Sequence, residues 1–287
     1  MELAIISGKG GTGKSSIAAA FATMGSNVIL ADCDVDAANL YLLFNPPHDE
    51  EEVFTGSYKA VVDQENCTLC RQCIDYCRFD AIAMVNNQIN ISEASCDGCF
   101  LCSRICPEQA IEMIQHDKSR MYTGSFRDGR MVYGWLAPGE ENSGKLVNLI
   151  REKVKKLAQQ NGLSHIIIDG PPGTGCPVIS TITGTDKVLI VTEPGISGLS
   201  DLKRTVELVQ GFKYPAMVLI NKYDLNPEMT SRIEVFCDTV WIPVVGKLAF
   251  DPQMTEAMLN CKSIVEWKPK SETSKALNRI WKTILNF

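Results

Sequence analysis

Two stretches place four cysteines each within eleven residues: "CTLCRQCIDYC", Cys67–Cys77, and "CDGCFLCSRIC", Cys96–Cys106. Both spell C-x₂-C-x₂-C-x₃-C. A constant offset of 29 residues carries Cys67, Cys70, Cys73 and Cys77 onto Cys96, Cys99, Cys102 and Cys106, and Ala81-Ile82 onto Ala110-Ile111. Soft thiolates packed this closely suit iron–sulfur chemistry. Zinc is the weaker alternative, since its sites pair two C-x₂-C knuckles or add histidines, and the chain has three histidines. A disulfide framework requires an oxidising compartment. The repeat predicts two related halves, each a hairpin-and-helix unit completing the other's site.

A second chemistry is written at the N-terminus. "ELAIISGKGGTGKSSIAAAFA" reads as a short buried strand, a glycine-rich turn and a helix. Gly8-xxxx-Gly13-Lys14-Ser15 fits the P-loop, in which backbone N–H groups curl around phosphates at a helix N-terminus. Gly8, Gly10, Gly11, Thr12, Gly13, Lys14, Ser15 and Ser16 are the expected ATP and phosphate contacts. Lys14 is expected to reach the β- and γ-phosphates, and the Ser15 hydroxyl to hold Mg²⁺.

These groups need a scaffold. "NVILADCDVDAANL" reads as a buried strand ending in Asp32, Asp34 and Asp36, any of which could instead cap the next helix. "HIIIDGPPGTG" reads as a strand ending in Asp169, and "VLINKYDLN" as one ending in Asn221, Lys222 and Asp224. Strands alternating with helices, near Ser200–Gln210 and Pro252–Asn260 among others, predict an α/β fold: a mostly parallel, doubly wound P-loop sheet. An aspartate at the C-terminal edge of such a strand faces the ligand crevice. The cysteine repeat interrupts this pattern, so residues 57–118 are expected to form an inserted α+β domain, with 1–56 and 119–287 forming one discontinuous domain. "FNPPHDEEEVFTGS" and "SRMYTGSFRDGR", rich in Pro, Gly and charge, read as its boundaries.

"GKGGTGKSS", with Lys9 after the first glycine, resembles the deviant P-loop of the MinD/ParA/nitrogenase iron-protein group. "DCDVDAANL", "DGPPGTGCPVI", "EPGISGLSDLKR" and "GKLAFDPQMTEAM" resemble that group over nearly the full length. The cysteine repeat is similar to bacterial two-cluster ferredoxins, so the chain is identified as a MinD-superfamily ATPase with an inserted ferredoxin-like domain. The first resemblance implies ATP-driven homodimerisation, with Lys9 reaching the partner subunit's nucleotide, Asp34 orienting the attacking water, and Asp169 with the turn after it reporting loss of the γ-phosphate. Asp32 or Asp36 would help hold Mg²⁺ through water. Asn221 and Asp224 would face the base; their N-K-x-D spelling is that of GTPases, but the group's asparagine faces adenine. The second resemblance implies two [4Fe–4S] clusters with crossed ligation, one on Cys67, Cys70, Cys73 and Cys106, the other on Cys96, Cys99, Cys102 and Cys77.

Together they imply an ATPase that couples nucleotide state to electron transfer to a redox or iron–sulfur partner. The alternative is an Mrp-type cluster or metal-cofactor carrier, although the late C-x-x-C of those carriers is missing; Cys237 and Cys261 are isolated. Two departures stand out. Arg78 replaces the proline expected after Cys77, whereas Pro107 follows Cys106. Cys176 sits where the nitrogenase iron protein has a cluster ligand, but without a second cysteine it reads as a buried thiol.

A net charge of −6 argues against a general nucleic-acid binder. The opening apolar run, "LAII", is too short for a signal peptide, and no run approaches a membrane span. The expected location is cytoplasmic. The C-terminal "SKALNRIWKTILNF" places Leu277, Ile280, Trp281, Ile284 and Leu285 on one helical face, expected to dock on the sheet rather than bind membrane.

Overall fold

A computed structural model describes all 287 residues. Nine strands form the main sheet. Their ranges are β1 (Glu2–Ser7), β2 (Val28–Asp32), β3 (Glu50–Phe54), β8 (Ser119–Phe126), β9 (Gly129–Trp135), β10 (His165–Pro172), β11 (Lys187–Thr192), β12 (Ala216–Asn221) and β13 (Val244–Leu248). The order is β13-β12-β11-β1-β10-β2-β9-β8-β3, parallel from β13 to β9 and antiparallel over the last two. Alternation along β1 divides the core: Leu3 and Ile5 face α1 (Lys14–Met24) and α11 (Glu272–Asn286), while Ala4 and Ile6 face α6 (Cys176–Ile182) and α7 (Ile196–Gly211). α5 (Ser143–Asn161) covers the β2–β9 region on that second face, burying Leu146, Val147, Ile150 and Val154.

Leu277, Ile280, Trp281 and Ile284 of α11 are buried, and Trp281 stacks on Phe21 at 5.1 Å. The amphipathic C-terminus therefore docks on the sheet domain; Leu285, placed on the same face from its spacing, is exposed. No helix is long and apolar enough to cross a membrane.

Two stretches read as boundaries are strands. β3 carries Glu50, Glu51 and Glu52, whose charge masks its strand pattern. Pairing with β8 and ion pairs from Lys153 to Glu50 and Glu52 and from Arg120 to Glu51 hold it on the edge. The helix α8 (Pro227–Thr239) was not expected; Asn226 caps it by accepting from Met229 N at 3.1 Å.

Between β3 and β8 lie four strands outside the main sheet: β4 (Tyr58–Val62), β5 (Ile82–Val85), β6 (Gln88–Ile91) and β7 (Ile111–Gln115), with short helices α3 (Gln72–Asp75) and α4 (Leu101–Ile105). They surround a small core of Ala60, Cys73, Ala81, Ile82, Ile89 and Ile111. The 29-residue offset maps β4, α3 and β5 onto β6, α4 and β7. Pairing, however, is β4 with β7 and β5 with β6, so each sheet takes one strand from each repeat. The expected hairpin within each half is thus replaced by one between halves, turned by Asn86 and Asn87, whose φ angles of 49° and 60° suit a tight hairpin. Neither repeat can close a sheet alone.

Candidate functional site

β1 delivers the chain into the glycine-rich loop, and α1 begins at Lys14. Gly13 has φ 93°, and a Cβ there would sit 2.5 Å from Asn221 Nδ2, so a side chain is excluded by both backbone and space. Gly10, Gly11, Gly13, Lys14, Ser15 and Ser16 line a cleft of about 620 Å³, closed opposite by Asp34, Asp36, Pro171 and Pro172. Gly8 and Thr12 do not line it. Gly8 packs on Asp201 of α7, and Thr12 is buried with its carbonyl accepting from Asn221 Nδ2 at 2.8 Å.

Adjacent parallel strands bring three carboxylates to one end of the sheet, with Asp32 and Asp169 in register. Asp32 accepts from the N–H groups of Asp34, Asn39 and Leu40 at 3.2, 3.1 and 3.1 Å, which braces the loop after β2 and the start of α2 (Leu40–Phe44). Asp32 thus braces that loop, while Asp36 lines the cleft. Burial first, then the Asp169 charge, pushes the Asp32 carboxyl up to about 8. Asp34, partly buried, is raised by burial while Lys14 pulls it down.

Asp169 is fully buried, and neither carboxylate oxygen has a hydrogen-bond partner. Burial pushes it up to about 6, against the pull of Lys14 and of a Ser15 hydroxyl that stops short of hydrogen-bond geometry. Two unpartnered buried oxygens beside a hydroxyl form a hard oxygen donor set, which fits Mg²⁺. Such a carboxyl opposes folding once ionised. The unfolded chain releases this proton near 3.8 and the folded chain near 6, so stability falls as pH rises across that window and stays lower above it. Without nucleotide or Mg²⁺, Asp169→Asn is therefore expected to stabilise the protein by about 1–3 kcal/mol at pH 8 and by less at pH 5. Denaturant melts at the two pH values check this; an equal gain at both would contradict it.

The eight repeat cysteines surround two pockets. One is lined by Cys67, Cys70, Cys73 and Cys106; the other by Cys77, Cys96, Cys99 and Cys102, with Cys73 also touching it. In each, the fourth cysteine comes from the other repeat. Backbone geometry repeats with the offset: φ is positive at Leu69 and Gly98, at Arg71 and Phe100, and at Asp80 and Gln109. Left-handed residues between the cysteines fold the loop back on itself, the kind of turn that aims N–H groups at an anion. Ala110 N–H donates to Cys106 Sγ at 3.3 Å. No three Cys, His, Asp or Glu side chains converge as ligands of a single ion. A cubane asks for something else, four thiolates on four different irons around one space, and the two pockets fit that donor set.

Residues 3–264 match the CobQ/CobB/MinD/ParA nucleotide-binding domain. The chain belongs to that family. An uncharacterised Methanocaldococcus jannaschii protein is 37% identical over 230 residues, covering 79% of each chain. The Pyrococcus horikoshii iron–sulfur cluster carrier protein is 22% identical, over 89% of this chain and 76% of its own. Among solved structures, the septum site-determining protein MinD of Pyrococcus horikoshii, complexed with Mg-ADP, has TM-score 0.60 and 20% identity, covering 99% of this chain and 95% of that one.

Several of the residues singled out by motif have partners within the chain. Asn221 braces the P-loop through Thr12, and Asp224 accepts from Phe250 N at 2.7 Å; neither lines the cleft. Lys9 is not free. Its ammonium pairs with Glu193 at 2.6 Å and donates to Ser197 Oγ at 3.1 Å, while Lys222 holds the other Glu193 oxygen at 3.0 Å. Burial alone would raise the Glu193 carboxyl, but the two lysines hold it below its usual range. Glu193 was not singled out from sequence, because a lone glutamate after a strand carries no pattern. Cys176 is exposed, not buried as expected, and Arg78 is exposed without an ion-pair partner.

Proposed function

We propose that this protein is a Mg²⁺-dependent ATPase, cytoplasmic and not nucleic-acid-binding. Residues 1–56 and 119–287 form its nucleotide domain and residues 57–118 an inserted ferredoxin-like domain. Nucleotide-dependent dimer rearrangement gates electron transfer to a partner redox protein. The observation that carries this reading is the pair of crossed four-cysteine pockets within a chain of the nucleotide-binding family.

Cys67, Cys70, Cys73 and Cys106 would hold one [4Fe–4S] cluster, and Cys77, Cys96, Cys99 and Cys102 the other. When bound, each supplies one-electron redox chemistry. In the cleft, Lys14 neutralises phosphate charge, Ser15 beside the buried Asp169, which does not itself line the cleft, favours Mg²⁺, and Asp34 sits opposite the loop where it can orient water. The family's nucleotide is ATP rather than GTP in this reading, as the motifs around the loop suggest; Asp224 accepts from the Phe250 N–H through Oδ1 and does not line the cleft.

Lys9 is proposed to act on the partner subunit's nucleotide, which requires release from Glu193. Lys9→Ala is expected to abolish ATP-dependent dimerisation while leaving nucleotide affinity within a few-fold of wild type. Sedimentation in ATP and ADP checks it, and a dimer that still forms with ATP would refute the role.

A second reading, a cluster carrier, is favoured by the curated carrier relative and by the exposure of Cys70 and Cys99. Radio-iron-labelled protein given ATP, an apo-acceptor and a redox dye separates the two. Dye reduction with label retained supports gating; label leaving at the rate of hydrolysis supports the carrier.

A further inference from the structure

Lys59, the second residue of β4, is buried at 3% exposure. Its ammonium donates to the Cys96 carbonyl at 2.6 Å and to the Gly139 carbonyl at 2.5 Å. It forms no ion pair within 4 Å; Glu141, whose carboxyl meets that of Asp97 in the Cys96–Cys99 loop, feels its charge from farther off. Carbonyls satisfy donors but do not balance charge, and a buried unpaired charge is costly. Just beyond Cys96 lies the pocket of Cys77, Cys96, Cys99 and Cys102, four thiols that become thiolates as cluster ligands. That pocket is where the missing negative charge would sit.

The other end of this contact leads to the nucleotide cleft. Gly139 belongs to the 136–142 segment between β9 and α5. Leu136 N–H donates to the Val35 carbonyl at 3.1 Å, and Val35 lies between Asp34 and Asp36, both lining the cleft. Ala137 N–H donates to Ser119 Oγ at 3.0 Å, a buried bond. Packing along the route has no slack. A Cβ on Gly139, whose φ is 77°, would lie 2.6 Å from the Ala94 carbonyl oxygen; one on Gly98 would lie 2.3 Å from that of Tyr58. The loop between Cys96 and Cys99 therefore rests directly on β4, and the 136–142 segment directly on Ala94. By contrast, no hydrogen bond joins Cys67, Cys70, Cys73 or Cys106 to the main-sheet domain.

We propose that Lys59 is a positioning residue linking the Asp34–Asp36 loop to the Cys96–Cys99 loop, so that nucleotide state alters the cluster of the second pocket and not that of the first. This rests on the function proposed above. Close packing favours discrete shifts over gradual deformation, so a small change at Val35 reaches Gly139, Lys59 and Cys96 together. The Lys59 charge also stabilises the more negative, reduced form of the adjacent cluster and so raises its potential.

Redox titrations followed by electron paramagnetic resonance test this on the anaerobically reconstituted full chain, with ADP and with a non-hydrolysable ATP analogue. Cys99→Ser identifies which signal belongs to the second pocket. In wild type, only that signal is expected to change midpoint between nucleotides. Lys59→Met should lower its midpoint and erase the nucleotide-dependent change with iron content intact, and Lys59→Arg should retain both. A nucleotide shift that survives in Lys59→Met, or that falls on the first pocket's signal, overturns the proposal. If Lys59→Met loses its cluster, Gly139→Ala decides, because it disturbs the contact and leaves the charge; a wild-type shift there also overturns it. Wild-type protein that binds no cluster would overturn this proposal and the electron-transfer function together, whereas clusters and ATP turnover without Lys59 dependence overturn this proposal alone.

Discussion

Lys14→Ala is expected to lower ATP turnover by on the order of 10²–10³-fold without destabilising the protein. Lys14 is the first residue of α1, lines the cleft and is 5% exposed. It has no ion-pair or hydrogen-bond partner within the chain; Asp34 and Asp36 line the same cleft, and Lys14 draws the Asp34 and Asp169 carboxyls downward. A buried cation without a close partner opposes folding, while its pull on the Asp34 and Asp169 carboxyls favours it; the two offset, so its removal costs the apo protein little stability. The loss falls on nucleotide chemistry, where a fixed positive charge offsets the charge on the transferring phosphate. A melting temperature that holds while turnover falls is the expected pair of results. Turnover within about tenfold of wild type would mean that Lys14 does not carry this role.

The second large effect concerns ligand crossing. On the function proposed above, Cys106→Ser should remove the cluster of the first pocket, although Cys106 belongs to the second repeat, and Cys77→Ser should remove that of the second. Double variants make the outcome decisive. Cys67→Ser with Cys106→Ser strikes one pocket and should leave half of the iron and sulfide. Cys96→Ser with Cys106→Ser strikes both and should leave neither cluster. Ligation within each repeat would reverse those two results. The crossed outcome follows from strand pairing: β4 pairs with β7 and β5 with β6, which carries Cys106 to the first loop and Cys77 to the second. Serine replaces sulfur by a harder, more basic oxygen that binds iron poorly, with little change in volume. Iron and sulfide analysis reads the result directly.

Much of the site was legible because its chemistry is local. A P-loop is a run of consecutive residues, and positive φ at Gly11 and Gly13 is what their type anticipates. The two cysteine runs sit in loops whose backbone repeats the 29-residue offset that the sequence displays. Asp34 and Asp169 were found because each follows an apolar run, although Asp34 lies two residues past β2 and Asp169 sits within β10, which runs on to Pro172 rather than ending at the aspartate. What escaped notice lacks such a pattern. Glu50, Glu51 and Glu52 disguise β3 as a linker, because an edge strand beside cationic neighbours needs no apolar face. Asn221 and Asp224 matched a base-reading spelling, yet their side chains meet Thr12 and Phe250 backbone groups from distant parts of the chain.

The sequence by itself determined the chemistry: which residues could hold phosphate, which could hold iron, and that the second group interrupts the first. Residue type and spacing encode these because each ligand loop is only a few residues long. Tertiary structure decided how they are connected. Whether Lys9 is free or held by Glu193, whether Asn221 braces the P-loop, and whether Lys59 touches Cys96 all depend on groups distant in sequence. Those contacts form only when the sheet brings strand ends together and the insert packs against residues 136–142. No local pattern records them, since their energy comes from burial and charge pairing in the folded chain.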